Sequence, residues 1–350
     1  MTGEELAAQV KNGEVFYRED FSNMDCRGVD LSGGIFSEVC FDNCDFTQAG
    51  LNEATFANCS MQNAVFSRAD IRQINFAQCG MDQARFCEIT ADSAKFVESS
   101  MKGADFSGAR LETCFFTHTD LEAAVLCGLE LTTTAFSGCR LVGADFSGAR
   151  VERSFFHDCG FKDNNLAGIT LHLSLFHGAD FDGTDFSGLD LTQCQFHESS
   201  LNNCNFARTR LDKSGFMRAA LTGSLFDGAS LEYANFYEAS LSGASFREAN
   251  LTRAGLQYTM ISGSDFSNAK MIQAQLEGAC AEQSLFAGAD LTYADFSHAK
   301  LSASDFSRAA LYLTNFHAAD DEKTKWSGST RALSWGTNQS RLKAEQWEKK

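Results

Sequence analysis

Three histidines, His157, His177 and His197, recur at intervals of twenty residues. Imidazole is a common ligand of Zn²⁺ and Cu²⁺, and adjacent strands would bring such rings within reach of one ion. Asp158 and Glu198 follow two of the rings, but no carboxylate accompanies all three. The column is therefore a weak candidate metal site, and a solvated or partner-contacting ladder is the stronger reading. Thirteen cysteines raise a similar question of metal or disulfide chemistry. The sequence holds no Gly-rich phosphate loop, nucleophile elbow or HExxH motif, and no catalytic residue or cofactor is expected.

The elements that would position these side chains follow from one beat. GADFSGAR at Gly143–Arg150 repeats Gly103–Arg110 letter for letter. Looser copies occupy Gly178–Gly188 and Gly288–Ser297. Steps of five from Phe16 to Phe316 visit 61 positions, of which thirty are Phe and nearly all others Leu, Met, Ile or Val. Cys26, Ala91 and Ala281 are the exceptions, and only Phe115 and Phe155 lie off the series. Two residues before each beat sits a small residue, such as Ala49, Ala64, Ala104, Ala144, Ala234 or Ala294. A period of five fits neither an amphipathic helix nor a simple strand. Fixed self-similarity over such a length indicates a solenoid.

The pattern small–polar–Leu/Phe–x–x resembles the pentapeptide repeat family, usually written A(D/N)Lxx. The resemblance covers about residues 16–316. It implies an all-β fold: a right-handed quadrilateral parallel β-helix with four pentapeptides per coil, the central and small residues pointing inward. The expected layout is an N-terminal cap at 1–15, the β-helix at 16–319, and a C-terminal cap at 320–350. About 15 coils at roughly 4.8 Å each make a rod about 70 Å long.

Reading every twentieth residue gives four inner columns. Phe16 to Phe236 is unbroken Phe, followed by Leu256, Leu276, Phe296 and Phe316. A second column, including Phe46, Phe106, Phe146 and Phe186, is mostly Phe, and the other two are more aliphatic. Eight cysteines (Cys44, Cys59, Cys79, Cys114, Cys139, Cys159, Cys194 and Cys204) fall in the small inner column. They read as buried apolar thiols, which suits a reducing compartment. A chain with no proline agrees with a ladder that uses nearly every backbone N–H.

Both ends carry helix signals. Thr2–Glu5 is a capping box for a helix over Glu4–Val10, with a turn at Asn12-Gly13. Beyond Phe316 the beat fails at Asp321, and Asn338 or Ser340 would cap a last helix reaching about Lys349. Relatives that shield gyrase dimerise through this segment, so Trp335, Leu342 and Trp347 are the dimerisation candidates and the chain is expected as a monomer or homodimer.

A filled interior leaves function to the outside. The side centred on Phe16, Phe36 and onward carries six of seven histidines, with His118 and His298 beside the main column and His317 further along it. Phe115, Phe155, His157, Leu175, His177, His197, Met217, Tyr237 and Tyr258 face out there, which is the composition of a partner-binding strip. Another side alternates Arg110, Glu130 and Arg150, a weakly stabilising ladder. The formal net charge of −17 argues against binding nucleic acid through phosphate contacts. Some relatives mimic B-form DNA at gyrase, yet each side here carries only about −3 to −5. Duplex DNA of equal length would carry about 40 negative charges. The expectation is a non-catalytic acidic rod binding a protein partner, as an accessory or effector protein of a bacterial secretion system. The alternative is a DNA mimic that protects gyrase. With no signal peptide or long apolar run, the expected setting is the bacterial cytoplasm, with no membrane span and export only by a route independent of a signal peptide.

Overall fold

The structure is a computed structural model that describes residues 1–347. Its chain forms two compact units, Met1–Asp180 and Phe181–Lys350. Both are parallel β-solenoids built from the same five-residue turn.

That turn explains the repeat. The central residue is buried, and its carbonyl accepts the N–H three residues on, as in Ala49 N–H to Phe46 O at 2.9 Å. The residue before the acceptor's partner is left-handed, as at Gln48 with φ 60°. A positive φ at that place alone makes a type II turn, which directs the chain round a corner. Gln48 N–H then bonds Ser67 O of the next coil at 3.0 Å. Asp at the position before the centre caps the N–H after it: Ser107 N–H donates to Asp105 Oδ1 at 2.9 Å, and Ser147 N–H to Asp145 at 2.9 Å. The A-D-F-S motif is thus one small inner residue, one side-chain cap, one core ring and one capped amide.

In the first unit, one side is a nine-stranded parallel sheet running from Val15–Tyr17 to Leu175–His177. Every partner lies twenty residues away, for example Phe136 opposite Phe156. A second side has five strands, from Thr90–Asp92 to Thr170–His172. Nine strands span about eight turns, so regular sheet covers fewer turns than the fifteen coils expected. The second unit repeats the register as single bridges, such as Asn205 to Leu225 and Asn315 to Trp335. Its turns hold short, cornered segments whose pairing seldom extends past one residue.

The core is stacked aromatics. In the first unit Phe96, Phe116 and Phe136 stack at 4.5 Å centroid spacing. In the second, Phe206, Phe226 and Phe246 stack at 4.8 and 4.6 Å, and Phe226 meets Phe236 edge-on at 6.0 Å. Offset stacking along a column and edge contacts between columns suit the ring quadrupoles. All eight inner-column cysteines are buried and unbridged. Their thiols donate to main-chain carbonyls, as Cys79 does to Phe56 O at 3.4 Å. Burial pushes the Cys26 thiol up to about 12 and those of Cys44 and Cys114 up to about 11, which keeps them protonated and unreactive.

Helix α1, Gly3–Lys11, sits on the first coil. Thr2 Oγ1 accepts from Glu5 N–H at 3.2 Å while Glu5 accepts from Thr2 N–H at 2.9 Å, completing the capping box. Leu6 and Val10 are buried. A Cβ at Gly3 would fall 2.5 Å from Asp25 O, so only glycine allows this approach. At the other end the coil runs past Phe316. Trp326, itself on the five-residue beat, stacks on Phe306 at 4.8 Å, and Phe306 N–H bonds Lys325 O at 2.8 Å. Helix α2 covers Gln339–Glu345, capped by Asn338, whose Oδ1 accepts from Ser340 and Arg341 N–H. It ends before the expected Lys349, which lies outside the described residues. None of the described helices is long and apolar enough to cross a membrane.

The Asp caps make the fold sensitive to acid. The Arg27 guanidinium holds Asp25 down at about 2. The Ser22 amide lowers Asp20, Ser32 lowers Asp30 and the Ser187 amide lowers Asp185. An unfolded Asp titrates near about 3.9. Because the folded values lie below it, this stabilisation is complete above that pH and is lost as pH falls through the folded values. The melting temperature, followed by circular dichroism, should be flat from about pH 7 to 5 and fall steeply from about pH 4 to 2.

Candidate functional site

In the first unit, the outer residues named as partner-binding candidates lie on one run of paired strands. Strands Phe115–Thr117, Ala135–Ser137, Phe155–His157 and Leu175–His177 pair in register. Their first outer column reads Phe115, Ala135, Phe155, Leu175. Phe115 is 47% exposed, and Phe155 and Leu175 are half-buried. The third residues of the last two strands bring His157 opposite His177, rings stacked at 5.2 Å and 22°. Phe155 lies beside His157 at 6.0 Å.

Asp158 completes a cluster there. Its N–H bonds His177 O at 2.9 Å, and its Oδ2 lies 3.3 Å from His157 Nδ1. The carboxylate leans onto the next coil because residue 178 is glycine: a Cβ at Gly178 would fall 2.3 Å from Asp158 Oδ1. Ligand atoms of His157, Asp158 and His177 all lie within 4.8 Å of one another. His118 uses the same device, its ring filling the space that a Cβ at Gly138 would take.

In the second unit His197, Met217 and Tyr237 are half-buried, and Tyr258 is 50% exposed. Tyr237 and Tyr258 meet edge-on at 5.8 Å. A different histidine cluster forms at its end. His317, expected to face solvent, is 2% exposed, because the segment after Trp335 folds back over it. Asn338 N–H donates to His317 Nδ1 at 3.1 Å, and His317 Nε2 lies 3.0 Å from Glu345 Oε2. His298 Nε2 is 3.3 Å from the same oxygen, and Arg341 Nε donates to Glu345 Oε1 at 2.7 Å. Hydrogen bonding to His317, with Arg341 and His298 nearby, holds the Glu345 carboxyl down at about 2. An Nδ1 that accepts a main-chain N–H leaves the ring proton on Nε2, where it donates to Glu345. This cluster fastens α2 to the last coils.

The amino-acid sequence matches the pentapeptide repeat region over residues 49–126 and 129–206. It also matches pentapeptide repeats (8 copies) over successive windows from 190–228 to 283–317. The chain belongs to the pentapeptide repeat family. Residues 4–86 of this pentapeptide repeat protein also match the SV2A/B/C luminal domain. Among solved structures it is similar to HetL, a pentapeptide repeat protein involved in heterocyst differentiation regulation in Nostoc sp. strain PCC 7120. The identity there is 20%, covering 80% of this chain and 97% of HetL, with a TM-score of 0.29. Full-length QnrB1, a plasmid-mediated fluoroquinolone resistance protein, is 22% identical over 59% of this chain and 95% of its own, with a TM-score of 0.24. A pentapeptide repeat protein of the Arabidopsis thaliana thylakoid lumen is 29% identical over 36% and 70%, with a TM-score of 0.18. No curated protein matches.

Other surface features of the repeat protein sort as its register dictates. Arg110 Nε pairs with Glu130 Oε2 at 3.1 Å, the alternating ladder expected on that side. Of the dimerisation candidates, Trp335 is 58% and Trp347 72% exposed, while Leu342 is half-buried. One feature escaped sequence reasoning. Tyr233, Arg253, Gln273 and Tyr293 form a single outer column and line an open groove of about 680 Å³ in the second unit. Arg253 Nε donates to Gln273 Oε1 at 2.6 Å, and its guanidinium lies 5.4 Å from the Tyr233 ring. Their spacing of twenty was the available signal.

Proposed function

We propose that this pentapeptide repeat protein is a non-catalytic scaffold that holds a protein partner against the Phe115–Phe155–Leu175 side of its first unit. The observation that carries this reading is Phe115. A ring 47% exposed on a strand paired on both sides is held in place without being covered. Rigid exposed aromatics beside half-buried apolar and imidazole groups are what an interface core needs. The thirteen free thiols favour a reducing, cytoplasmic setting. An accessory or effector role in bacterial secretion is the finer form of this proposal.

DNA mimicry at gyrase has less support, because acids on several sides are matched by arginines. Arg27 meets Asp25 at 2.6 Å, Arg72 meets Asp70 at 2.5 Å and Arg140 meets Glu122 at 2.8 Å. Two measurements test the choice. A partner captured from the native host should be retained at least about tenfold less well by Phe115→Ser/Phe155→Ser, the effect of about 1.4 kcal/mol. Arg110→Ala should retain it fully; equal retention by all three proteins would place the contact elsewhere. In a supercoiling assay the protein should leave quinolone inhibition of gyrase unchanged, whereas relief of inhibition would favour mimicry.

A further inference from the structure

We propose that His157, Asp158 and His177 form a binding site for one divalent transition-metal ion of the Zn²⁺ type on the first unit. Three observations converge on it. The two rings sit opposite each other on paired strands, so the backbone fixes their separation. The Asp158 carboxylate reaches from its own coil onto the next over Gly178, where any Cβ would collide with it. The ligand atoms of all three residues already lie within 4.8 Å of one another.

The distances suit an ion better than a simple ion pair. His157 Nδ1 and Asp158 Oδ2 are 3.3 Å apart. A charge-assisted N–H···O contact closes to about 2.7–2.9 Å. Two ligands on one tetrahedral Zn²⁺, with bonds of about 2.0–2.1 Å, stand about 3.3 Å apart. Small rotations of the imidazole rings would bring His177 to the same spacing, and water would complete the coordination. Two imidazoles and a carboxylate select Zn²⁺, Ni²⁺ or Cu²⁺ over Mg²⁺ or Ca²⁺. The outer face leaves an entry path, since His157 and Asp158 side chains are 39% and 63% exposed.

The cluster of His298, His317 and Glu345 meets the same proximity criterion but has the wrong protonation. Metal at His317 Nε2 would require a proton on Nδ1, and that nitrogen already accepts from Asn338 N–H at 3.1 Å. Metal-ligating imidazoles instead donate through their second nitrogen.

Isothermal titration of the full chain with Zn²⁺ at neutral pH tests the inference. The expected result is one ion per chain, with affinity at least about tenfold weaker in His177→Ala and Asp158→Asn and unchanged in His298→Ala; tenfold corresponds to about 1.4 kcal/mol. Gly178→Asn should also weaken binding, since asparagine tolerates a positive φ while crowding the carboxylate off its place. Circular dichroism identical to the parent would show that each variant keeps its fold. No binding heat, or heat that survives His177→Ala and disappears in His298→Ala, would overturn the proposal. The inference stands apart from the scaffold reading: a chain that binds Zn²⁺ but no partner, or a partner but no Zn²⁺, separates the two.

Discussion

Phe116→Ala should destabilise the first unit by about 3–5 kcal/mol, whereas Phe115→Ala next to it should change stability by no more than about 0.5 kcal/mol. Phe116 is 2% exposed and stacks at 4.5 Å on both Phe96 and Phe136. Truncation removes the buried ring and leaves a cavity between coils that main-chain bonds hold apart, so the site cannot collapse. Each lost ring pair adds about 0.5–1.5 kcal/mol to the burial term. Phe115 is 47% exposed on the opposite face of the same strand. Chemical denaturation followed by circular dichroism measures the difference between the two variants. A repeat array need not unfold in one step, so midpoints of the same transition are compared, not extrapolated totals. Equal losses for the two variants would contradict the division of inner and outer faces.

Leu6→Ala should cost about 2–5 kcal/mol and also promote self-association. Leu6, on the buried face of α1, is fully buried over a first coil whose Phe16 and Phe21 remain only 6% exposed. The Gly3 backbone packs against Asp25 O, so α1 has little freedom to settle into the space vacated. Loosening the helix uncovers two rings and the unpaired edge of the Val15–Tyr17 strand, which templates pairing with another chain. Light scattering against concentration reads the association, and thermal unfolding the stability loss. A Leu6→Ala protein with an unchanged melting temperature and no association would show that α1 does not close this end.

The inner columns were legible in the sequence because burial imposes a hard period. Each centre must be apolar and each residue two before it small, so Phe116, Ala104 and the inner cysteines announce their positions. Ends and outer sites were harder to read, since contacts between distant segments place them. Trp326 sat on the beat, but Asp321 before it hid the continuation of the coil. His317 shares its column with His157 and His177, yet α2 covers it, and nothing in the column's spacing anticipates Asn338 and Glu345. The His157–His177 pair followed from the twenty-residue step. The role of Asp158 did not, because it depends on a missing side chain at Gly178. The count of about fifteen coils exceeds the turns that carry regular sheet for a related reason: the corners recur every five residues, and a single bridge satisfies a turn as well as a three-residue strand does.

The central claim is that residues twenty apart stack inside a parallel coil. Nuclear Overhauser measurements on selectively labelled phenylalanine test it directly. Phe116 ring protons should show strong cross-peaks to Phe96 and Phe136, whose centroids lie 4.5 Å away. Cross-peaks from Phe116 confined to residues three or four positions away, with none to Phe96 or Phe136, would contradict the fold and every surface assignment derived from it.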